Sequence, residues 1–241
     1  MLAENNKGYA NLCKIVSKGF VDGFYYKPRV DYEVLREFHE GIICLSACLA
    51  GEVQRFLARG DYQAGKEAAL RYLDIFGKDN YFLELQDHGI PEQQNVNQQL
   101  LKMHRETGIE LVATNDVHYT LAEDAQPHDV LLCLQTGKKL ADQDRMRYEG
   151  GQYYVKSEEE MKGLFPYAWE AVENTQRIAD RCNVEIEFGV TKLPHFEVPE
   201  GYDSWTYLNK LCTDGLKERY GDENAPAGIT GQTLRERLDY E

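Results

Sequence analysis

No stretch of the chain approaches the ~18 continuous apolar residues that a membrane-spanning helix requires. The opening, Met1 to Gly8, is polar and lacks the apolar h-region of a secretory signal, so the chain reads as cytoplasmic. The six cysteines (Cys13, Cys44, Cys48, Cys133, Cys182 and Cys212) are scattered and contain no CxxC pair. For a chain of this size outside the secretory route free thiols are the default, most of them small buried hydrophobes. Positive charge is short: 27 Lys and Arg stand against 41 Asp and Glu, a formal net charge of −14. A surface that grips DNA needs clustered Lys and Arg facing phosphates, so this chain is not itself the main DNA clamp. An acidic balance suits a metal-site domain, or one part of an assembly whose basic surfaces lie elsewhere. Also missing are a paired His-x-His strand, a GxxxxGK[ST] phosphate loop and a GxSxG elbow. No internal repeat or low-complexity tract is present.

What is there is an ordinary globular composition. The chain has 241 residues, 42% of them hydrophobic, which is enough to bury a core. Apolar positions Tyr9, Leu12, Ile15 and Val16 predict a helix over 4–18 that stops at Gly19. Asp31 is placed to cap a short helix through Phe38, and Ile42-Ile43-Cys44-Leu45 reads as a buried strand. Helices are expected over Glu52–Ala58 and Tyr62–Phe76, a strand over Tyr81–Leu85, and a helix opened by Pro91 to about Thr107. Ile109 to Thr114 is a third strand. From residue 31 onward helix and strand alternate, which implies parallel strands with crossover helices. In such sheets polar site residues collect past the carboxyl ends of the strands, and Cys48, His88, Asp116 and His118 all fall there.

After residue 120 the pattern turns helical: over 121–135, from a capping box at Ser157-Glu158-Glu159-Glu160 through Leu164, and from Tyr167 to Cys182. Phe188 to Tyr202 carries Gly189, Pro194, Pro199 and Gly201, the composition of a connector at a domain boundary. Helices are expected again at about 204–219 and from about 231; the last, TLRERLDYE, stops inside its amphipathic pattern, as a truncated domain would.

Asp116-Val117-His118 is the sharpest local signal. Side chains at i and i+2 of an extended segment share a face, so a carboxylate and an imidazole are presented together, as a divalent metal prefers. Cys48 follows one strand and precedes the helix at Glu52, whose N-terminus would favour a thiolate. Taken alone, each has an ordinary reading: hydrogen-bonded turn residues for Asp116 and His118, a packed thiol for Cys48, a turn residue for His88. Glu84 taken alone is a salt-bridge partner. His39, His104, His128 and His195 have no partner at ligand spacing and read as structural or surface residues. A catalytic metal needs at least three protein ligands plus an open position, and these residues offer three candidates over two strand ends.

The segments GYANLCKIVSKGF, IICLSACLAGEVQRFLARGDYQAG, FGKDNYFLELQDHG, LVATNDVHYTLAEDAQPHDVLLCLQTGK, YYVKSEEEMKGLF, AVENTQRIADRCNVEIEFG and YLNKLCTDGLKERYG together resemble the bacterial replicative DNA polymerase III alpha-subunit family. The match is to its PHP (polymerase and histidinol phosphatase) domain, and it spans essentially the whole chain with its motifs in order.

That resemblance implies an α/β fold: an incomplete, distorted (β/α)7 PHP barrel over residues 1–187 lacking its first strands, then a mainly helical segment and the start of a polymerase palm domain over 188–241. It implies a multi-metal cluster at the strand ends, in which Cys48 matches the family's Cys and Asp116 and His118 its Asp-x-His. The family's His-x-His and its neighbouring Asp, His and Glu ligands have no counterpart here, so by the resemblance the chain alone is inactive at both of the family's sites. Zinc or manganese is the implied PHP metal, and magnesium belongs to the palm site beyond Glu241. The implied partners are DNA and deoxynucleoside triphosphates, a proofreading exonuclease, the sliding clamp and the clamp loader, with no membrane. The implied activities are DNA-templated DNA synthesis and a metal-dependent 3′–5′ exonuclease in the PHP region. The alternatives are a non-catalytic PHP scaffold that docks a proofreading subunit, and a PHP-type phosphoesterase.

Overall fold

The structure is a computed structural model that describes residues 1–228 and 231–241. The chain divides into two compact units, Met1–Ile186 and Glu187–Glu241. The expected second segment, 188–241, includes residues 229 and 230, which lie outside the described residues.

The first unit is mixed α/β, built on a four-stranded sheet in the order β1-β2-β3-β4. Its strands are β1 (Leu2–Ala3), β2 (Ile42–Leu45), β3 (Tyr81–Leu85) and β4 (Leu111–Ala113). The parallel order expected from the helix–strand alternation is present in two pairings: β2 with β3 and β3 with β4, with Leu45 opposite Phe82 and Glu84 opposite Val112. The helices α3 (Glu52–Ala58) and α4 (Tyr62–Phe76) cross from β2 to β3, and α5 (Pro91–Thr107) crosses from β3 to β4. β1 was hidden by its polar setting. It pairs antiparallel with β2, Leu2 opposite Ile43, where backbone hydrogen bonding outweighs side-chain pattern.

Both faces of the sheet are buried, so Tyr81, Phe82, Leu83 and Leu85 of β3 are apolar on both faces rather than in alternation, and Glu84 is the polar exception. Ile42, Leu83, Leu85, Leu111 and Ala113 pack on one face against α3, α4 and α5, with Val53, Leu57, Leu100 and Met103. Ile43, Phe82 and Val112 pack on the other against Ile178. Each large side chain fully buried this way contributes about 1.5–3 kcal/mol.

Helix α1 (Asn6–Val21) is capped by the Asn5 side chain, which accepts from the Gly8 amide at 3.0 Å. It runs through Gly19 rather than stopping there, because Gly19 is buried and its missing side chain lets Arg29 and Val30 lie close. α1 meets the turn before β2 backbone to backbone: a Cβ on Gly8 would stand 1.8 Å from the Gly41 carbonyl oxygen. Gly41 itself sits at φ +71, in the left-handed region glycine adopts freely. A short helix α2 (Tyr32–Glu37) follows, capped by Asp31, which accepts from the Val34 amide at 2.9 Å.

After β4 come a 3-10 turn and α6 (Ala125–Thr136), then α7 (Glu158–Leu164) behind the Ser157–Glu160 capping box, then α8 (Trp169–Arg181). α8 covers the free edge of β4: the Asn174 amide donates to the Leu111 carbonyl at 2.8 Å. One outward-facing acceptor of the edge strand is thereby satisfied by a side chain.

The second unit holds an extended segment followed by α9 (Ser204–Tyr220) and α10 (Leu234–Tyr240), capped by Asp203 and Thr233. Neither helix buries a residue among those described. No helix among the described residues is long and apolar enough to cross a membrane.

Candidate functional site

Polar side chains gather where the parallel strands end. β2 runs into Ser46-Ala47-Cys48, β3 into Gln86-Asp87-His88, and β4 into Thr114-Asn115-Asp116-Val117-His118. Ala47 and Asp116 both take positive φ, +67 and +42, which costs a non-glycine residue roughly 1–2 kcal/mol. Such conformations persist where surrounding contacts over-determine them.

At Ala47 those contacts are visible. The Ser46 hydroxyl oxygen accepts from the Glu84 amide at 2.8 Å and from Gln54 Nε2 at 2.6 Å. Gln54 Nε2 also donates to the Ala47 carbonyl at 2.9 Å, and the Ala47 amide donates to Glu84 Oε2 at 3.0 Å. Glu84 was expected to pair with a cation. Instead it is 8% exposed, and no ion pair forms at it among the described residues. Its other oxygen accepts from the Thr114 hydroxyl at 2.5 Å and from Gln86 Nε2 at 3.2 Å. A buried carboxylate without a cation needs several convergent donors to offset its lost hydration, and three are supplied.

Next to this network lies a small cavity lined by Cys48, Gln54, Glu84, Gln86, Gln93 and Asn97, with room of about 10 Å³. The Oε1 atoms of Gln54 and Gln86 are buried without a donor, and the space is close to the least that one water needs. Gln93 and Asn97 share the inward stripe of α5 with Val96, Leu100 and Met103. A polar residue on an apolar stripe is the sequence signal for a buried hydrogen-bonding group, and it marks these two.

His88 is buried, 5% exposed, and both ring nitrogens are engaged. Nδ1 accepts from Gln93 Nε2 at 2.9 Å and Nε2 donates to the Asn115 carbonyl at 3.0 Å. The ring stacks on Tyr153, centroids 4.2 Å apart. His88 is therefore a structural clamp between β3 and β4 with no nitrogen free to hold a metal.

The predicted ligands differ among themselves. Cys48 is half-buried beside the cavity. Cys44, one strand residue away from the same loop, faces the core, where burial pushes its thiol up to about 11, so it stays protonated at neutral pH. Asp116 and His118 are both exposed, and His118 Nδ1 lies 2.7 Å from the carbonyl of Asp116. That contact makes Nδ1 the protonated nitrogen and leaves Nε2 as the lone pair. Around His118 stand Tyr148, its ring 4.2 Å away, Tyr153 at 5.8 Å and His128 at 5.7 Å. His128 was expected to stand alone; α6 folds back across the strand end and brings it beside His118, a long-range approach that spacing does not encode. Arg145 clamps the next residue, Asp129, through two hydrogen bonds of 2.5 and 2.7 Å.

A thiol, a carboxylate and an imidazole are the right donors for a borderline divalent metal. Yet no group of three or more His, Cys, Asp or Glu side chains among the described residues could hold a metal ion. These residues by themselves do not fit a complete metal centre.

Residues 1–88 match the family model of the PHP domain. Over 242 aligned residues the chain is 42% identical to DNA polymerase III subunit alpha of Treponema pallidum, covering 100% of this chain and 20% of that protein. It is 42% identical to the same-named protein of Deinococcus radiodurans, covering 98% of this chain and 18% of that one. Against that of Saccharopolyspora erythraea it is 44% identical, covering 97% and 19%. The chain thus spans about one fifth of the length of the curated relatives it matches.

Proposed function

The chain is a segment of the bacterial DNA polymerase III alpha-subunit family, and from that premise we propose that the protein carrying it extends DNA from deoxynucleoside triphosphates in the cytoplasm. The single observation behind this reading is end-to-end similarity at 42% identity. Its partners are then template DNA and the other replicase subunits: a proofreading exonuclease, a sliding clamp and a clamp loader. The sheet of the first unit forms part of a (β/α)7 PHP barrel, residues 1–187 belong to the PHP domain, and 188–241 lead into the palm.

Within that protein Cys48, Asp116 and His118 are this segment's contribution to a divalent-metal site, zinc or manganese, that donors from elsewhere in the longer chain complete. Their placement past the ends of β2 and β4 supports this, because ligands collect at the carboxyl ends of parallel strands. Such a metal polarises a phosphodiester and lowers the pKa of bound water, the chemistry of a 3′–5′ exonuclease. Magnesium serves the polymerase site proper.

The second reading is a PHP region that docks a proofreading subunit without chemistry of its own. The incomplete donor set among the described residues favours keeping it. Metal content separates the two. The full-length protein is expected to carry zinc or manganese that Asp116→Ala and His118→Ala each deplete, while primer extension with magnesium continues. Metal content indifferent to both substitutions would support the docking reading. Hydrolysis of small phosphate esters by this chain alone would revive a stand-alone phosphoesterase.

A further inference from the structure

We propose that Glu84 is the positioning residue of the strand-end site: one buried carboxylate ties the loop that carries Cys48 to the loop that carries Asp116 and His118. The inference deepens the metal-site reading and rests on it for its functional meaning, though not for its geometry.

Each carboxylate oxygen serves a different loop. Oε2 accepts from the amide of Ala47, the residue before Cys48, at 3.0 Å. Oε1 accepts from the hydroxyl of Thr114, two residues before Asp116, at 2.5 Å. β3 lies between β2 and β4 in the sheet, so a side chain at its end can reach both neighbours. Glu84 shares a strand face with Phe82 and Gln86, and Gln86 Nε2 braces the Oε1 arm by donating to both Glu84 and Thr114 at 3.2 Å. The far sides of the two loops are held separately. Gln54 Nε2 fixes the Ser46 hydroxyl and the Ala47 carbonyl, and Asn115 Nδ2 donates to the Gln152 and Tyr154 carbonyls at 2.9 and 2.7 Å. Glu84 is the group that joins the two anchored loops to each other.

The choice of residue type follows. An apolar side chain here would leave the Ala47 amide and the Thr114 hydroxyl without their acceptor. A carboxylate offers acceptors only, and two oxygens at fixed separation set the spacing of two loops. A glutamine can keep the tie: its oxygen accepts from Ala47, its amide donates to Thr114 Oγ1, and Gln86 turns its unpartnered Oε1 toward it. The proposal therefore separates the tie from the charge. Shape and hydrogen bonding are required, and the negative charge is not.

Amide hydrogen exchange and the alkylation rate of Cys48 by iodoacetamide, both on the metal-free full-length protein, test this. In Glu84→Leu, exchange at Ala47–Cys48 and at Asn115–His118 is expected to rise about tenfold or more, with faster alkylation of Cys48, while the amides of α4 and α5 keep their protection. Glu84→Gln should stay within about twofold of the wild type at all these positions. Thr114→Val, which removes one arm, should loosen Asn115–His118 and leave Ala47–Cys48 alone; it also carries the test if Glu84→Leu does not fold. Equal damage by Gln and Leu would overturn the proposal, because the charge would then be what matters. A uniform rise across the core in Leu, or both loops moving in Thr114→Val, would overturn it as well. Since no metal is present, a failure here is distinct from a failure of Cys48, Asp116 and His118 to bind one.

Discussion

Asn174 illustrates how single side chains decide this structure. Its amide donates to the carbonyl of Leu111 on the outer strand, and the residue is buried. Asn174→Leu is expected to orphan that carbonyl and cost roughly 1–3 kcal/mol, read as a lower urea midpoint at unchanged slope. The Arg145–Asp129 clamp makes a pH prediction. Hydrogen bonding from the Arg145 guanidinium holds the Asp129 carboxyl below its ordinary range. A depressed folded pKa stabilises above the unfolded value, about 3.9, and that contribution vanishes as the pH falls through the folded value. The wild type is thus expected to lose more melting temperature than Arg145→Met between about pH 5 and 2. Parallel curves for the two proteins would count against the clamp. At this scale the sequence is least informative. Cys48, Asp116 and His118 stand out by residue type and position after strands, whereas Glu84 looks like any strand glutamate. Its role lies in partners in the loops after two other strands, 37 and 30 residues away. His128 beside His118 is equally invisible to spacing, because α6 brings it there.

Among the elements, local signals carried furthest where caps and burial agreed. The strand Ile42–Leu45, the helices Glu52–Ala58 and Tyr62–Phe76, and the Pro91-led α5 have the limits their sequences predict, because glycines and caps punctuate them. Three features differ: β1, two residues paired through backbone alone, the run of α1 past Gly19, and the strand expected over Ile109 to Thr114, which is confined to Leu111–Ala113. Glycine ends a helix only if nothing packs where its side chain would be, and here another segment does. The same logic makes Gly8 critical, since a methyl there meets the Gly41 carbonyl at 1.8 Å. Gly8→Ala is expected to lift α1 off the sheet and cost about 3 kcal/mol, near the top of the overpacking range. Ser17→Ala on the exposed side of the same helix should change stability by less than about 0.5 kcal/mol. Thermal melts of the two variants compare these costs directly.

For the whole molecule, the first unit carries the sheet, both core clusters and every candidate ligand, and it ends at Ile186. A chain of residues 1–186 is expected to melt cooperatively within about 3 °C of the full chain, the shift that ~1 kcal/mol makes at this size. A larger loss would mean that residues 187–241 stabilise the first unit. At this scale parallel strands with crossover helices were legible from alternation alone, while the site's completeness was not, because donors converge through tertiary structure. The proposed metal role of Cys48, Asp116 and His118 in the longer protein has a spectroscopic signature. The most direct measurement is the thiolate-to-cobalt charge-transfer absorption of the cobalt(II)-loaded full-length protein. A band is expected in the wild type that Cys48→Ser abolishes and His118→Ala weakens or shifts. A cobalt-loaded wild type without the band, or one whose band survives Cys48→Ser, would contradict it.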